Sequence, residues 1–218
     1  MRDLPPDLAP YLEAELLHPG WSAEQIQGLC QEADRLHLAA VCVHPHWVKQ
    51  VREWLYRRPI ALATVVGFPL GLNCQATKLF EAQLALEQGA TELDLVLNPA
   101  WIRAAAWDPL FTEIAAIREA AQVPIKGVLD MEGLTPEQVA GAVDVCLQAG
   151  VSYLKGSTTG PARLEHVQQL AQLSQGKVGI KASGQIKTAA QVEAFWQAGA
   201  TRIGTSKITE ILAAWGSP

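Results

Sequence analysis

The 218-residue chain has no lysine- or arginine-rich run, no Cys-x-x-Cys pair and no apolar stretch long enough to span a membrane. Each absence removes a class of function. With acids and bases mixed along the chain and a net charge of -5, there is no electrostatic footprint for nucleic acid. The four cysteines, Cys30, Cys42, Cys74 and Cys146, are scattered, which points to neither a zinc site nor a disulfide framework. Reduced thiols fit the cytoplasm. The start, Met1-Arg2-Asp3-Leu4-Pro5-Pro6-Asp7, lacks the basic and apolar regions of a signal peptide. No glycine-rich dinucleotide fingerprint occurs either. What remains is the expectation of a cytoplasmic protein with no membrane or nucleic-acid partner. An apolar fraction of 49% against 18% charged residues gives it material for a sizeable core.

Short apolar runs alternate with longer helical patterns throughout. Strands are expected at Tyr11–Leu16, Ala39–Val43, Ile60–Val66, Glu92–Leu97, Val123–Leu129, Ser152–Lys155, Val178–Lys181 and Thr201–Ile203. Helices are expected at Ser22–Leu36, His46–Tyr56, Gln75–Gln88, Pro109–Ala121, Pro136–Ala149, Arg163–Leu173, Ala189–Ala198 and Ile208–Ala214. A helix-to-strand turn recurs as Gln88-Gly89-Ala90, Gln148-Ala149-Gly150-Val151 and Gln197-Ala198-Gly199-Ala200. Eight successive βα units without a break predict a single-domain (β/α)8 TIM barrel over residues 1–218, rather than an open doubly wound sheet.

Four charged residues sit near strand C-terminal ends, where barrels place their chemistry. They are Asp94, Lys126, Lys155 and Lys181, on the fourth to seventh strands. Lysine is a poor strand residue unless it is paired or put to use. A free lysine amine attacks carbonyls to form a Schiff base, an electron sink for breaking a C–C bond. An unperturbed amine is free in only about one copy in a few thousand at pH 7, and a nearby ammonium with partial desolvation raises that fraction. An adjacent carboxylate such as Asp94 then moves protons for the carbinolamine and the enamine carbon. His44-Pro45-His46 reads as a surface loop rather than a metal site.

The motifs Val65-Val66-Gly67-Phe68-Pro69-Leu70-Gly71, Glu92-Leu93-Asp94-Leu95-Val96-Leu97-Asn98, Lys155-Gly156-Ser157-Thr158, Gly179-Ile180-Lys181-Ala182-Ser183-Gly184 and Arg202-Ile203-Gly204-Thr205-Ser206 occur in this order. Together they resemble the deoxyribose-phosphate aldolase family, from about Tyr11 to Ser206. The resemblance implies a (β/α)8 class I aldolase that needs no metal or cofactor. It interconverts 2-deoxyribose 5-phosphate with glyceraldehyde 3-phosphate and acetaldehyde. It further implies Lys155 as the Schiff-base lysine, Lys181 as the second lysine favouring the free amine, Asp94 as the acid/base and Lys126 as a supporting charge. Ser157, Gly184, Gly204 and Ser206 become the phosphosugar contacts, and a homodimer is implied.

The chain departs from the family pattern at identifiable places. Thr159 and Gln185 stand where glycines are usual, and Lys207 follows Ser206 in place of a serine. Either Gln185 fills the space of a phosphate, or Lys207 supplies a charge for it. Glu13-x-Glu15 replaces an Asp-x-Thr pair, adding carboxylates that need partners beside a phosphosugar. Asp130-Met131 replaces a glutamate and a threonine, and Trp215-Gly216-Ser217-Pro218 replaces a tyrosine tail. Two alternatives follow: a Schiff-base aldolase for short or unphosphorylated aldehydes, and a non-catalytic barrel that binds a small anion or a protein partner.

Overall fold

The computed structural model describes residues 2–215, so the end of the C-terminal tail lies outside the described residues. Eight parallel strands close into a barrel in sequence order, the last pairing with the first. They are β1 Leu12–Leu16, β2 Ala40–Val43, β3 Ala61–Val66, β4 Glu92–Val96, β5 Ile125–Val128, β6 Tyr153–Lys155, β7 Gly179–Ser183 and β8 Arg202–Thr205. The helices are α1 Ala23–Arg35, α2 Val48–Trp54, α3 Gln75–Glu87, α4 Pro99–Arg103, α5 Trp107–Ala120, α6 Pro136–Gln148, α7 Leu164–Ser174, α8 Ala189–Gln197 and α9 Ile208–Ala214. The expected barrel is therefore present. No described helix is long and apolar enough to cross a membrane.

Local sequence explains the helix ends. Ser22, Thr135 and Thr188 each close a capping box with the glutamine three residues on, so α1, α6 and α8 start where an orphan N–H finds an acceptor. The recurring glycine turns end three helices at Gly89, Gly150 and Gly199 with φ of 102°, 75° and 109°, a region that β-carbons disfavour. Several element ends shift by a few residues from expectation, and two differences have a clear local cause. α5 begins at Trp107, because Pro109 falls in the first turn, where its missing N–H costs nothing. α4 was not expected. Its first N–H groups are served by the Asn98 side chain, which accepts from Ala100 N at 2.9 Å.

Successive strand residues face opposite ways, and closure turns that alternation into two interiors. Leu12, Ala14, Leu16, Leu93, Leu95, Ile125, Leu154, Ile180 and Ile203 pack outward against the helices in one continuous apolar shell. One buried ion pair interrupts it: Lys78 on α3 donates to Glu113 on α5 at 2.7 Å and to the Val96 carbonyl at 2.9 Å. The inward positions belong to a separate, small apolar cluster of Cys42, Ala63 and Val65, and to charged residues on the remaining strands.

Candidate active site

The inward face carries Glu13 and Glu15 from β1, Glu92 and Asp94 from β4, Lys126 from β5, Lys155 from β6, Lys181 from β7 and Arg202 from β8. Strand register sets Asp94 beside Lys126, Lys155 beside Lys181 and Lys181 beside Arg202. Asp94 Oδ1 accepts from Lys126 at 2.7 Å and Oδ2 from Lys181 at 2.8 Å, with Lys155 Nζ 3.9 Å away. Glu13 bonds Lys181 and lies 3.7 Å from Lys126. Glu92 lies 2.6 Å from Lys126, and Arg202 reaches Glu13 at 3.6 Å and Glu92 at 3.7 Å. Glu15 Oε1 accepts from Lys155 at 3.1 Å and lies 3.0 Å from Lys181.

Opposite charges thus balance within one buried network, which is what permits so many of them out of water. Burial works against ionisation of Asp94, but Lys126, Lys181 and Lys155 outweigh it and hold its carboxyl far below the usual range. Burial likewise opposes the charge on Lys181, and Asp94, Glu13 and Glu15 overcome it, raising its pKa well above that of an ordinary lysine. Lys181 is thus held as an ammonium. Burial also opposes ionisation of Glu15, yet Lys155 and Lys181 lower it to about 2. Glu13, Cys42 and Asp94 place potential metal-ligand atoms within 4.8 Å of one another. Both carboxylates already hold lysine ammonium groups, so a metal ion would have to displace paired charges there.

A cavity of about 590 Å³ opens above this network at the C-terminal ends of the strands. Its wall includes Glu15, His44, Phe68, Thr158, Thr159 and Gly184, with Gln185, Lys187, Gly204 and Ser206. Gly184 and Gly204, expected as phosphosugar contacts, line this cavity. A β-carbon on Gly184, at φ 115°, would come within 2.2 Å of the Gly160 carbonyl, so glycine lets the two loops approach. Ser206 is on the wall and exposed, whereas the Ser157 hydroxyl is committed to the Ser183 carbonyl at 2.9 Å. Lys207 does not serve the cavity. Its amine turns to Glu210 at 2.9 Å on the surface, and the lysine on the wall is Lys187. His44, expected in a surface loop, is half-buried on the cavity wall with Nε2 3.0 Å from the Leu17 carbonyl. The acid Glu92 and the base Arg202 were not expected in the site, and Glu13 was expected there only as a departure from the family pattern.

A closed eight-stranded parallel barrel with lysines and carboxylates converging at the mouth defines a (β/α)8 enzyme of the aldolase class. No protein-family profile matches the chain. Individual proteins do. It is 46% identical to a deoxyribose-phosphate aldolase of Picosynechococcus over 208 residues, covering 94% of this chain and 91% of that protein. It is 36% identical to the deoxyribose-phosphate aldolase of Deinococcus radiodurans, covering 91% and 92%. The solved deoxyribose-phosphate aldolase of Aeropyrum pernix, described as a tetramer, superposes with a TM-score of 0.89 at 29% identity, covering 96% of this chain and 91% of that one. The chain belongs to the deoxyribose-phosphate aldolase family.

Proposed function

We propose that the protein cleaves 2-deoxyribose 5-phosphate reversibly to glyceraldehyde 3-phosphate and acetaldehyde through a Schiff base on Lys155. The observation that carries this reading is the convergence of Lys155, Lys181 and Asp94 beneath the cavity. The Lys155 amine adds to the C1 aldehyde of the open-chain sugar, and loss of water leaves an iminium. The C3 hydroxyl proton passes to Asp94 as the C2–C3 bond breaks, the bond's electrons flow into the iminium, and glyceraldehyde 3-phosphate departs. Asp94, paired with Lys181, handles the proton that returns to C2 of the enamine, and hydrolysis releases acetaldehyde. Lys126 supports the charge of Asp94 from below. The phosphate lodges where the loops carrying Gly184 and Lys187 and those carrying Gly204 and Ser206 meet, with Lys187 as its cation.

A second reading, an aldolase for short or unphosphorylated aldehydes, is favoured by one feature. Gln185 and Thr159 stand on the cavity wall with side chains where the family has glycine. A coupled assay comparing 2-deoxyribose 5-phosphate with 2-deoxyribose separates the two. The first reading predicts a much higher kcat/KM for the phosphorylated sugar and none for Lys155→Ala. Equal kcat/KM favours the second, with Gln185→Gly then lowering KM for the phosphosugar. Turnover of neither sugar leaves the non-catalytic barrel. We also read the protein as a cytoplasmic homodimer, the compartment being supported by four unpaired cysteines. Sedimentation equilibrium distinguishes the dimer from the tetramer described for the Aeropyrum pernix relative.

A further inference from the structure

Of the charged network, Glu15 is the member that reaches the cavity. Its side chain is 15% exposed, against 2% for Lys155 and 0% for Lys181 and Asp94. Among the described residues it is the one carboxylate side chain on the cavity wall, and Lys155, which is not on that wall, lies 3.1 Å behind its Oε1. Glu15 Oε1 is also the nearest acidic oxygen to Lys155 Nζ, at 3.1 Å against 3.9 Å for Asp94. Both oxygens of Asp94 are already held by Lys126 and Lys181. The carboxylate of Glu15 occupies space that a bare glycine leaves open. A β-carbon on Gly204 would come within 2.8 Å of both Cδ and Oε1.

We propose that Glu15 is a catalytic acid/base of the Schiff-base steps, taking the proton that Lys155 must lose and returning it to the water that departs. The inference rests on the reading of Lys155 as nucleophile. At rest, the ammonium of Lys155 and the carboxylate of Glu15 are paired. Transfer of one proton breaks an N–H bond, forms an O–H bond and frees the amine lone pair. That pair forms the C–N bond, and the carbonyl π electrons move to oxygen. The new alkoxide takes a proton while the new ammonium gives one up, leaving a neutral carbinolamine and a protonated Glu15. Glu15 then protonates the hydroxyl. Water leaves as the nitrogen lone pair closes the C=N bond, and a cationic iminium faces a carboxylate again. Charge at the site is the same before and after, and no further reactant is consumed. Asp94, lower in the barrel, keeps the carbon proton. The two carboxylates therefore divide the work by position.

An inert ion-pair partner makes the opposite prediction, because removing a carboxylate beside an ammonium favours the free amine. Glu15→Gln keeps the shape and removes the proton acceptor. Its kcat is expected to fall about 10²-fold with KM little changed. In Glu15→Ala, added acetate or formate is expected to restore part of the lost rate in a concentration-dependent way. A Glu15→Gln rate equal to or above that of the unchanged protein at pH 7 overturns the proposal, as does a slow Glu15→Ala that acetate leaves slow. Borohydride trapping of the unchanged protein on Lys155 keeps these failures distinct from failure of the nucleophile reading. If no adduct forms there, the nucleophile reading falls and this inference falls with it.

Discussion

Lys78 in the helical shell and Lys126 and Lys181 inside the barrel are all buried, yet their ionisation is pushed in opposite directions. In the shell, burial dominates both partners. It lowers the pKa of Lys78 and raises that of Glu113, despite a 2.7 Å contact between them. Inside the barrel, Lys126 and Lys181 are raised and Asp94 is lowered, although burial opposes each of those charges. The difference lies in the number of partners. Within 4 Å each shell residue pairs with one counter-ion, Glu81 adding a weaker pull on Lys78, whereas Lys126 and Lys181 each meet three carboxylates and Asp94 meets three lysines. With one partner the desolvation cost prevails, and with three the attraction does. The barrel can therefore keep fixed charges beside a reacting amine, which its apolar shell cannot do.

The sharpest separation of the two regions is in activity. Lys155→Ala should lose on the order of 10⁴-fold or more in kcat while the barrel stays folded, read by aldol cleavage and circular dichroism. Asp94→Asn should cost both properties: about 10²- to 10⁴-fold in rate, and roughly 3–5 kcal/mol of stability from the ammonium groups left unpaired, read by kinetics and denaturant titration. In the shell, Lys78→Met alone should cost a similar 3–5 kcal/mol, but the double change Lys78→Met with Glu113→Leu should return stability to within about 1 kcal/mol of the starting protein. A double mutant as unstable as the single one would break the comparison.

Acid supplies a further contrast. Glu15 titrates at about 2 in the folded chain against 4.5 ordinarily. The unfolded chain therefore binds the proton first as the pH falls. The contribution of Glu15, roughly 3 kcal/mol, is complete above about pH 4.5 and is lost as pH drops toward 2. Glu15→Gln should flatten that limb in denaturant titrations between pH 5 and 3, and an unchanged slope would contradict the network account. The smallest effect belongs to Lys207→Ala. Its exposed pair with Glu210 is worth at most about 1 kcal/mol, and KM for the phosphosugar should not move.

Particular residues show what could be read in advance. Lysines at the ends of apolar strands are anomalous enough to announce themselves, and Lys155, Lys181 and Lys126 do meet Asp94 as their strand order implied. Glu13 and Glu15 were legible only as departures. Leu12-Glu13-Ala14-Glu15-Leu16 has the period of a strand with one wet face, and nothing local says that barrel closure will dry that face. Their lysine partners lie as far off as Lys181, 168 residues along the chain from Glu13. Glu92 and Arg202 were hidden in the same way. Lys78 and Glu113 give no sign of their pairing in the sequence, because helical periodicity does not reveal which faces of α3 and α5 will meet. Lys207 misled in the other direction. Its place in the motif suggested an anion contact, but Glu210, three residues on, takes its charge.

We read Lys155, beside Glu15 and Asp94, as the one amine that forms a covalent bond with substrate. Borohydride added to the protein with 2-deoxyribose 5-phosphate, followed by peptide mapping by mass spectrometry, tests it most directly. The account predicts a reduced sugar or acetaldehyde adduct on Lys155 and on no other lysine. An adduct confined to Lys181 or Lys126, or no adduct with either the phosphosugar or acetaldehyde, would contradict it.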